Sequence, residues 1–366
     1  MTTVLPPTRW VREFGRPPRI LGLDVARALA ILGMVGAHVG ETSDFDAARP
    51  ETWADLVNGR SSLLFALLAG VSIALMTGRR TPPAPERMPA VRLGLVGRGA
   101  AIFVIGLALE MLNTPIAVIL TLYGLLYVAV IPFLRWRPWQ LLAGSAALAL
   151  VAPALFAFLG AAAEHPSGAG IGFVLFGSYP ITVWMALVLA GMAIGRIGAD
   201  SLRTAVVALV VGVVLAAAGY GLGAAGGAAG IPASLDAAPG ADPGEAAVVA
   251  VFAVEPHSGG TAEVLGSGGF VLAVLALCLL VSRPLRWLLL PLGALGSMPL
   301  TAYSAHVLSI VLVVGPGGYL SSNAFWGETT IVLLLLTTLW SVFFGRGPLE
   351  RLVARSAAAM SAVSRR

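Results

Sequence analysis

Ten stretches of roughly 20 mostly apolar residues follow one another along this chain, near 21–40, 62–78, 95–113, 115–134, 139–160, 179–197, 203–224, 267–282, 297–316 and 329–345. Each is about the length a helix needs to cross the hydrocarbon layer of a bilayer. The expected fold class is therefore all-α, a polytopic transmembrane helix bundle of about ten spans. With 58% hydrophobic and 11% charged residues and a mean hydropathy of +0.89, the composition excludes a soluble globular domain. Arg9, Arg12, Arg16 and Arg19 precede the first stretch as they would in a signal peptide. That stretch is longer than a signal h-region and many spans follow it, so it reads as a retained first helix.

Every basic residue is arginine, and the arginines sort the orientation. With the N-terminus in the cytoplasm, the inner segments hold Arg79, Arg80, Arg87, Arg92, Arg98, Arg135, Arg137, Arg196, Arg203, Arg283, Arg286, Arg346 and Arg351. Only Arg49 and Arg60 then fall outside, together with most of the acids. This asymmetry predicts a multi-pass protein of the cell (cytoplasmic) membrane with both termini inside. It also accounts for the pI near 10.0 without a nucleic-acid partner. The organisation reads as a basic cytoplasmic segment at 1–20, a membrane domain at 21–345 with a mobile outer loop at 225–262, and a basic cytoplasmic tail at 346–366. Pro-rich residues 78–97 read as a stiff basic linker, a positive-inside anchor or a site for an anionic ligand. Leu68-Ala69-Gly70-Val71-Ser72-Ile73 is echoed by Leu189-Ala190-Gly191-Met192-Ala193-Ile194, a repetition that close helix packing through small residues explains.

The first span carries three groups that are costly inside a membrane, Asp24, Arg27 and His38. Asp24 and Arg27 are helical neighbours at i, i+3 and can neutralise each other. Arg27 and His38 are eleven residues apart, which is three turns plus roughly 20°, so they share a face and lie about 16 Å apart along the axis. Histidine titrates near working pH and can take a proton from an attacking hydroxyl or amine, or carry an acyl group itself. Arg60, beside Asp55, is a surface pair or a clamp on an anionic or carbonyl group. His306 falls within the ninth span with Tyr303 as its i, i+3 neighbour, either a satisfied interior histidine or a functional one. Glu110, Tyr123 and Tyr127 are weaker candidates, and His165 reads as solvated. The single cysteine, Cys278, excludes a disulfide framework within the chain, and four scattered histidines lack metal-ligand spacing, so no metal is expected.

The run Leu23-Asp24-Val25-Ala26-Arg27 with Gly33-Met34 and His38 resembles the first-helix signature of integral-membrane acyltransferases related to heparan-alpha-glucosaminide N-acetyltransferase. Arg27 and His38 also match the Arg-x10-His spacing of membrane O-acyltransferases. Gly59-Arg60-Ser61-Ser62 with Leu67-Leu68-Ala69-Gly70, Pro256-His257-Ser258-Gly259, and Gly296 with Leu300-Thr301-Ala302-Tyr303 and His306 extend the resemblance over most of the chain. Ala28 stands where many relatives have Gly. The resemblance implies transfer of an acetyl group from cytoplasmic acetyl-CoA, as co-substrate, to a hydroxyl or amine acceptor across the bilayer, with a glycan or amino sugar as its class. It makes His38 catalytic, has Asp24 and Arg27 order the donor's channel, and leaves His257 as the other candidate for the catalytic histidine. Arg79, Arg80, Arg92 and Arg98 are the expected phosphate-binding residues, with Arg27, Arg60 and Tyr303 along the donor's path. A homodimer is allowed for. The alternative reading is a transporter or flippase for a small polar or glycan-linked substrate, which would favour paired broken helices.

Overall fold

Long apolar side chains on several helices point away from the protein, and small ones point in. In the computed structural model, which describes residues 13–163, 169–176, 180–237 and 240–363, every regular element is helical. The helices are α1 (Leu21–Val39), α2 (Arg60–Met76), α3 (Met88–Glu110), α4 (Leu120–Ala129), α5 (Pro138–Ala162), α6 (Ile181–Ile197), α7 (Leu202–Ala228), α8 (Pro243–Phe252), α9 (Thr261–Val281), α10 (Leu290–Gly296), α11 (Pro299–Val314), α12 (Asn323–Phe343) and α13 (Pro348–Val363). Short 3-10 turns such as Pro50–Val57 and Pro85–Arg87 link some of them, and Ala169–Ile171 runs into a π-helical turn, Gly172–Phe176. His165, most of the N-terminal basic segment and the last three residues of the tail lie outside the described residues.

α7 shows most directly why the fold belongs in lipid. It buries Ala205, Ala208, Gly212, Gly219, Gly223 and Gly226, while Val206, Val207, Val210, Val213 and Val214 are exposed. A helix of a soluble protein does the reverse, because water rewards burial of the larger apolar groups. Hydrocarbon gives no such reward, so small residues take the helix contacts and branched ones face the lipid. α5 repeats the pattern, with Ala149, Ala152 and Pro153 buried and Leu150, Val151 and Leu155 exposed. Among the described residues, six helices are long and apolar enough to cross a membrane, or up to eight if each bent pair counts as one span. The expected segments at 115–134 and 179–197 appear as the shorter apolar helices α4 and α6. For α4 the reason is local. α3 stops at Glu110, Asn113 takes a left-handed φ of 51°, and Pro115 follows, so helix resumes only at Leu120. The segment 225–262 contains α8, whose N-terminus Asp242 caps by accepting the Glu245 N–H at 2.9 Å. Half of the linker at 78–97 is already α3, and most of the tail is α13.

The chain divides into two compact units. The first comprises residues 1–65, 84–131 and 277–366, and the second residues 66–83 and 132–276. Within the first, α3 lies between α4 and α13. Gly99 and Gly124 bring α3 and α4 together so closely that a Cβ on either would stand 2.5–2.6 Å from the other's carbonyl oxygen. Ser356 and Ser361 of α13 donate to the carbonyls of Gly97 and Ala90 on α3, at 2.7 and 3.0 Å. Within the second, a Cβ on Gly70 would strike the α6 backbone at Val188, and one on Gly191 would strike the α2 backbone at Leu67. The echoed Leu-Ala-Gly runs are therefore the two sides of one backbone contact.

That contact generates a stability test. Gly191→Leu overpacks the α2–α6 crossing and is expected to cost about 1–3 kcal/mol, read as a lowered unfolding midpoint in detergent. Gly221→Leu is the control, because nothing lies within 4 Å of that position on α7, and it is expected to leave the midpoint unchanged.

Candidate active site

The site is assembled on α1, which runs unbroken from Leu21 to Val39. Near its start the buried carboxylate of Asp24 receives two guanidinium groups. Arg19 Nε donates to Oδ2 at 2.5 Å, and an Arg27 terminal nitrogen donates to Oδ1 at 2.8 Å. Asp24 is 4% exposed, a burial that a carboxylate tolerates only when paired. α10 closes over it: Gly296 lies against the Asp24 backbone so tightly that no Cβ could be accommodated.

After Gly296 the chain turns by 88° into α11. Pro299 opens the new helix, and its first amides are claimed by Glu350 at the start of α13. Oε1 of Glu350 accepts the N–H groups of Leu300 and Thr301 at 2.7 and 3.1 Å, and Oε2 accepts the Thr301 hydroxyl at 2.6 Å. A carboxylate at a helix N-terminus satisfies otherwise orphaned amides and complements the positive end of the helix dipole. Directed this way, α11 carries Tyr303 and His306, both fully buried.

His306 reaches the last turn of α1. Its Nε2 lies 2.8 Å from Nδ1 of His38, a hydrogen bond across 268 residues of sequence. The ring centroids are 5.1 Å apart and the planes differ by 11°. A centroid separation that equals the N···N distance plus the two ring radii places the imidazoles edge to edge in nearly one plane, so the two nitrogens face each other directly. Tyr303 meets the His306 ring edge-on at 6.2 Å. Nδ1 of His306 is buried and has no hydrogen-bond partner among the described residues.

The C-terminal end of α1 is pinned from a second side. Ser322 donates its N–H to the Val39 carbonyl at 2.6 Å, Asn323 Oδ1 accepts the Glu41 N–H at 3.0 Å, and the Trp326 indole donates to the Leu32 carbonyl at 3.0 Å. At the start of α2, Ser61 packs against Gly33 of α1. Beside it Arg60 donates to the Asp55 backbone carbonyl at 3.4 Å, while the Asp55 carboxylate accepts the Asn58 amide at 2.6 Å.

A second polar group occupies the same unit. Tyr123 packs against Phe65 and Tyr127 with ring centroids 4.9 and 5.7 Å apart, and Arg98 lies 6.0 Å from the Tyr127 ring centroid. Arg27 and Arg98 both lie within electrostatic reach of the Tyr123 hydroxyl. Thr121 donates to the Glu110 carboxylate at 2.9 Å. Arg92 is exposed on α3.

The remaining sequence candidates belong to the second unit. Arg80 makes an exposed 3.5 Å pair with Asp200, and Arg79 has a left-handed φ of 56°. His257 also has positive φ, 67°, in a turn built around the buried carboxylate of Glu263. That carboxylate accepts the N–H groups of His257 and Gly259 at 2.8 and 2.7 Å and the Ser258 hydroxyl at 3.1 Å. The turn borders a cavity of about 400 Å³ lined also by Phe156, Asp236 and Glu255.

Three residues with structural consequence were not singled out by the sequence reading. Glu350 carries no sequence signal of its own, and Glu263 is one of the acids placed outside. Arg196, counted among inner arginines, is 3% exposed and donates to the carbonyls of Thr77, Arg79 and Leu134 at 3.0, 2.7 and 3.0 Å.

The pairing at Asp24 makes a measurable prediction. Asp24→Ala leaves two arginines without their shared anion and is expected to cost about 2–4 kcal/mol, less than a fully orphaned buried charge because Arg19 can turn to solvent. Arg49→Ala, which breaks an exposed pair with Asp46, is expected to change stability by less than about 0.5 kcal/mol in the same detergent unfolding assay.

No curated protein matches the chain. The family model for heparan-alpha-glucosaminide N-acetyltransferase, catalytic, matches residues 19–217, more than half of the chain. The matched stretch includes Asp24, Arg27, His38 and Arg60, and it ends before His257, Tyr303 and His306. This protein, an all-helical chain with membrane-length spans, belongs to the heparan-alpha-glucosaminide N-acetyltransferase catalytic family.

Proposed function

We propose that the protein transfers an acetyl group from cytoplasmic acetyl-CoA to an amine or hydroxyl on the opposite side of the cell membrane, with an amino sugar or related glycan as acceptor. The observation that carries this reading is the His38–His306 contact at the outer end of a helix whose inner end holds the Asp24–Arg27 pair. Catalysis of acyl transfer across a bilayer needs donor and acceptor to meet at one base, and α1 joins both ends of such a path. His38 is the general base. With Nδ1 turned to His306, Nε2 points the other way and is the nitrogen that takes the acceptor's proton. The deprotonated acceptor attacks the thioester carbonyl directly, and the carbon–sulfur bond breaks to release the thiol.

Arg27, held at 2.8 Å by Asp24, lies on the same face of α1 and lines the donor's route, with Tyr303 further along it. Arg92 and Arg98 on α3 are assigned to the coenzyme phosphates, because guanidinium forks match phosphate oxygens. Arg60, anchored beside Asp55 at the start of α2, is assigned to the acceptor side. The positive-inside bias supports placing both termini in the cytoplasm.

The 88° break between α10 and α11 is a shape transporters also use. The other bend, 42°, joins a 3-10 helix to α2 and is no matched counterpart to it.

Acetyl-CoA is expected to raise the unfolding midpoint of the detergent-purified protein, whereas unrelated nucleotides leave it unchanged. Saturation at 100 times Kd corresponds to about 2.7 kcal/mol of stabilisation. His38→Ala is expected to keep the acetyl-CoA shift and lose acetyl transfer to glucosamine by at least about 10²-fold. Full activity in that variant, or solute flux without any response to acyl-CoA, would reject the proposal.

A further inference from the structure

We propose that His306 is the acid that protonates the leaving thiolate, so that one pair of imidazoles serves both the acceptor and the donor side of the reaction. This rests on the acetyltransferase reading above and adds a role for the second ring.

The argument is one of proton positions. A neutral imidazole carries one N–H and one lone pair. In the 2.8 Å contact between His38 Nδ1 and His306 Nε2, one nitrogen must donate and the other accept. If His306 Nε2 donates, His38 holds its own proton on Nε2 and cannot act there as a base. If His38 Nδ1 donates, Nε2 of His38 carries the lone pair a base needs. His306 is then obliged to hold its proton on Nδ1. That nitrogen is buried and lacks a hydrogen-bond partner among the described residues, so in this state it is a donor without an acceptor. The catalytically competent tautomer of His38 therefore creates an unsatisfied N–H on His306.

A reacting group that gains negative charge would satisfy it. His306 is the fully buried member of the pair, whereas His38 is part-exposed at the outer end of α1. An acceptor arriving from outside meets His38, and a thioester entering through the bundle presents its sulfur on the buried side. As the acceptor nitrogen or oxygen bonds to the carbonyl carbon, its proton passes to His38 Nε2. The Nδ1 proton of His38 moves to His306 Nε2, the carbon–sulfur bond breaks, and the Nδ1 proton of His306 goes to the thiolate. No proton is gained or lost. After the products leave, water removes the proton from His38 Nε2, the bridging proton returns from His306 Nε2 to His38 Nδ1, and water supplies one to His306 Nδ1, restoring the starting tautomers.

The test varies the leaving group. Release of thiol from acetyl thioesters is followed for the full-length protein in detergent with glucosamine as acceptor, from acetyl-CoA to aryl thioesters whose thiols are progressively more acidic. The wild type is expected to respond weakly to thiol acidity, since an acid assists departure. His306→Gln, which can still hold His38 through its amide, is expected to lose about 10²-fold with acetyl-CoA and to recover to within a few-fold of wild type with the most acidic thiols. An equal loss across the series would overturn the proposal and make His306 a positioning residue only. Should the variant fail to fold by its unfolding midpoint, the wild-type series decides alone, a steep dependence on thiol acidity counting against the proposal. Absence of thiol release from acetyl-CoA by the wild type would instead remove the acetyltransferase reading itself.

Discussion

Asp24 accepts two guanidinium groups while almost wholly withdrawn from solvent, and the rest of the first unit is built outward from that arrangement. The charge of Arg27 can stand within an apolar helix because Asp24 neutralises it locally. Gly296 can lie on the Asp24 backbone because neither residue places bulk between the helices. With α10 fixed there, the 88° turn that follows determines where α11 points, and α11 determines whether His306 meets His38. An ion pair at one end of α1 thus governs a hydrogen bond at the other, through two short helices and a carboxylate cap.

The cap illustrates how membrane proteins handle broken helices. A helix that starts inside a bundle exposes several amides that water cannot reach. Here Glu350 satisfies two of them and the adjacent hydroxyl as well. Glu263 does the same for the turn at His257, and Arg196 supplies the complementary service for carbonyls at the end of α2. In each case one charged side chain spreads its charge over several backbone groups, a stronger arrangement than neutral hydrogen bonds of the same number.

Much of the first helix was legible in the sequence because it required only local rules. The hydrophobic length gives the span, and Asp24, Arg27 and His38 stand out against it as groups that hydrocarbon does not tolerate. The Leu-Ala-Gly echo was legible for a similar reason, since a small residue in an apolar span has few uses other than close packing. What local rules miss is partnership over distance. Nothing near Glu350 points to Leu300, and nothing in the ninth span says that His306 meets His38. The length of α4 was not legible: the break at Asn113 and Pro115 was, but helix resumes only at Leu120, so α4 is ten residues long. α8 was missed because its Gly, Ala and Pro content resembles a linker, while Asp242 and the buried Val249 and Ala250 hold it as a helix.

The distance spanned by the histidine contact has a consequence for biogenesis. His38 emerges from the ribosome early, but its partner follows 268 residues later, and Glu350, which seats the partner's helix, later still. Through most of synthesis the first helix is present without the imidazole that faces its own. The His38–His306 contact is therefore completed only after α11 is made and Glu350 of α13 caps its first turn.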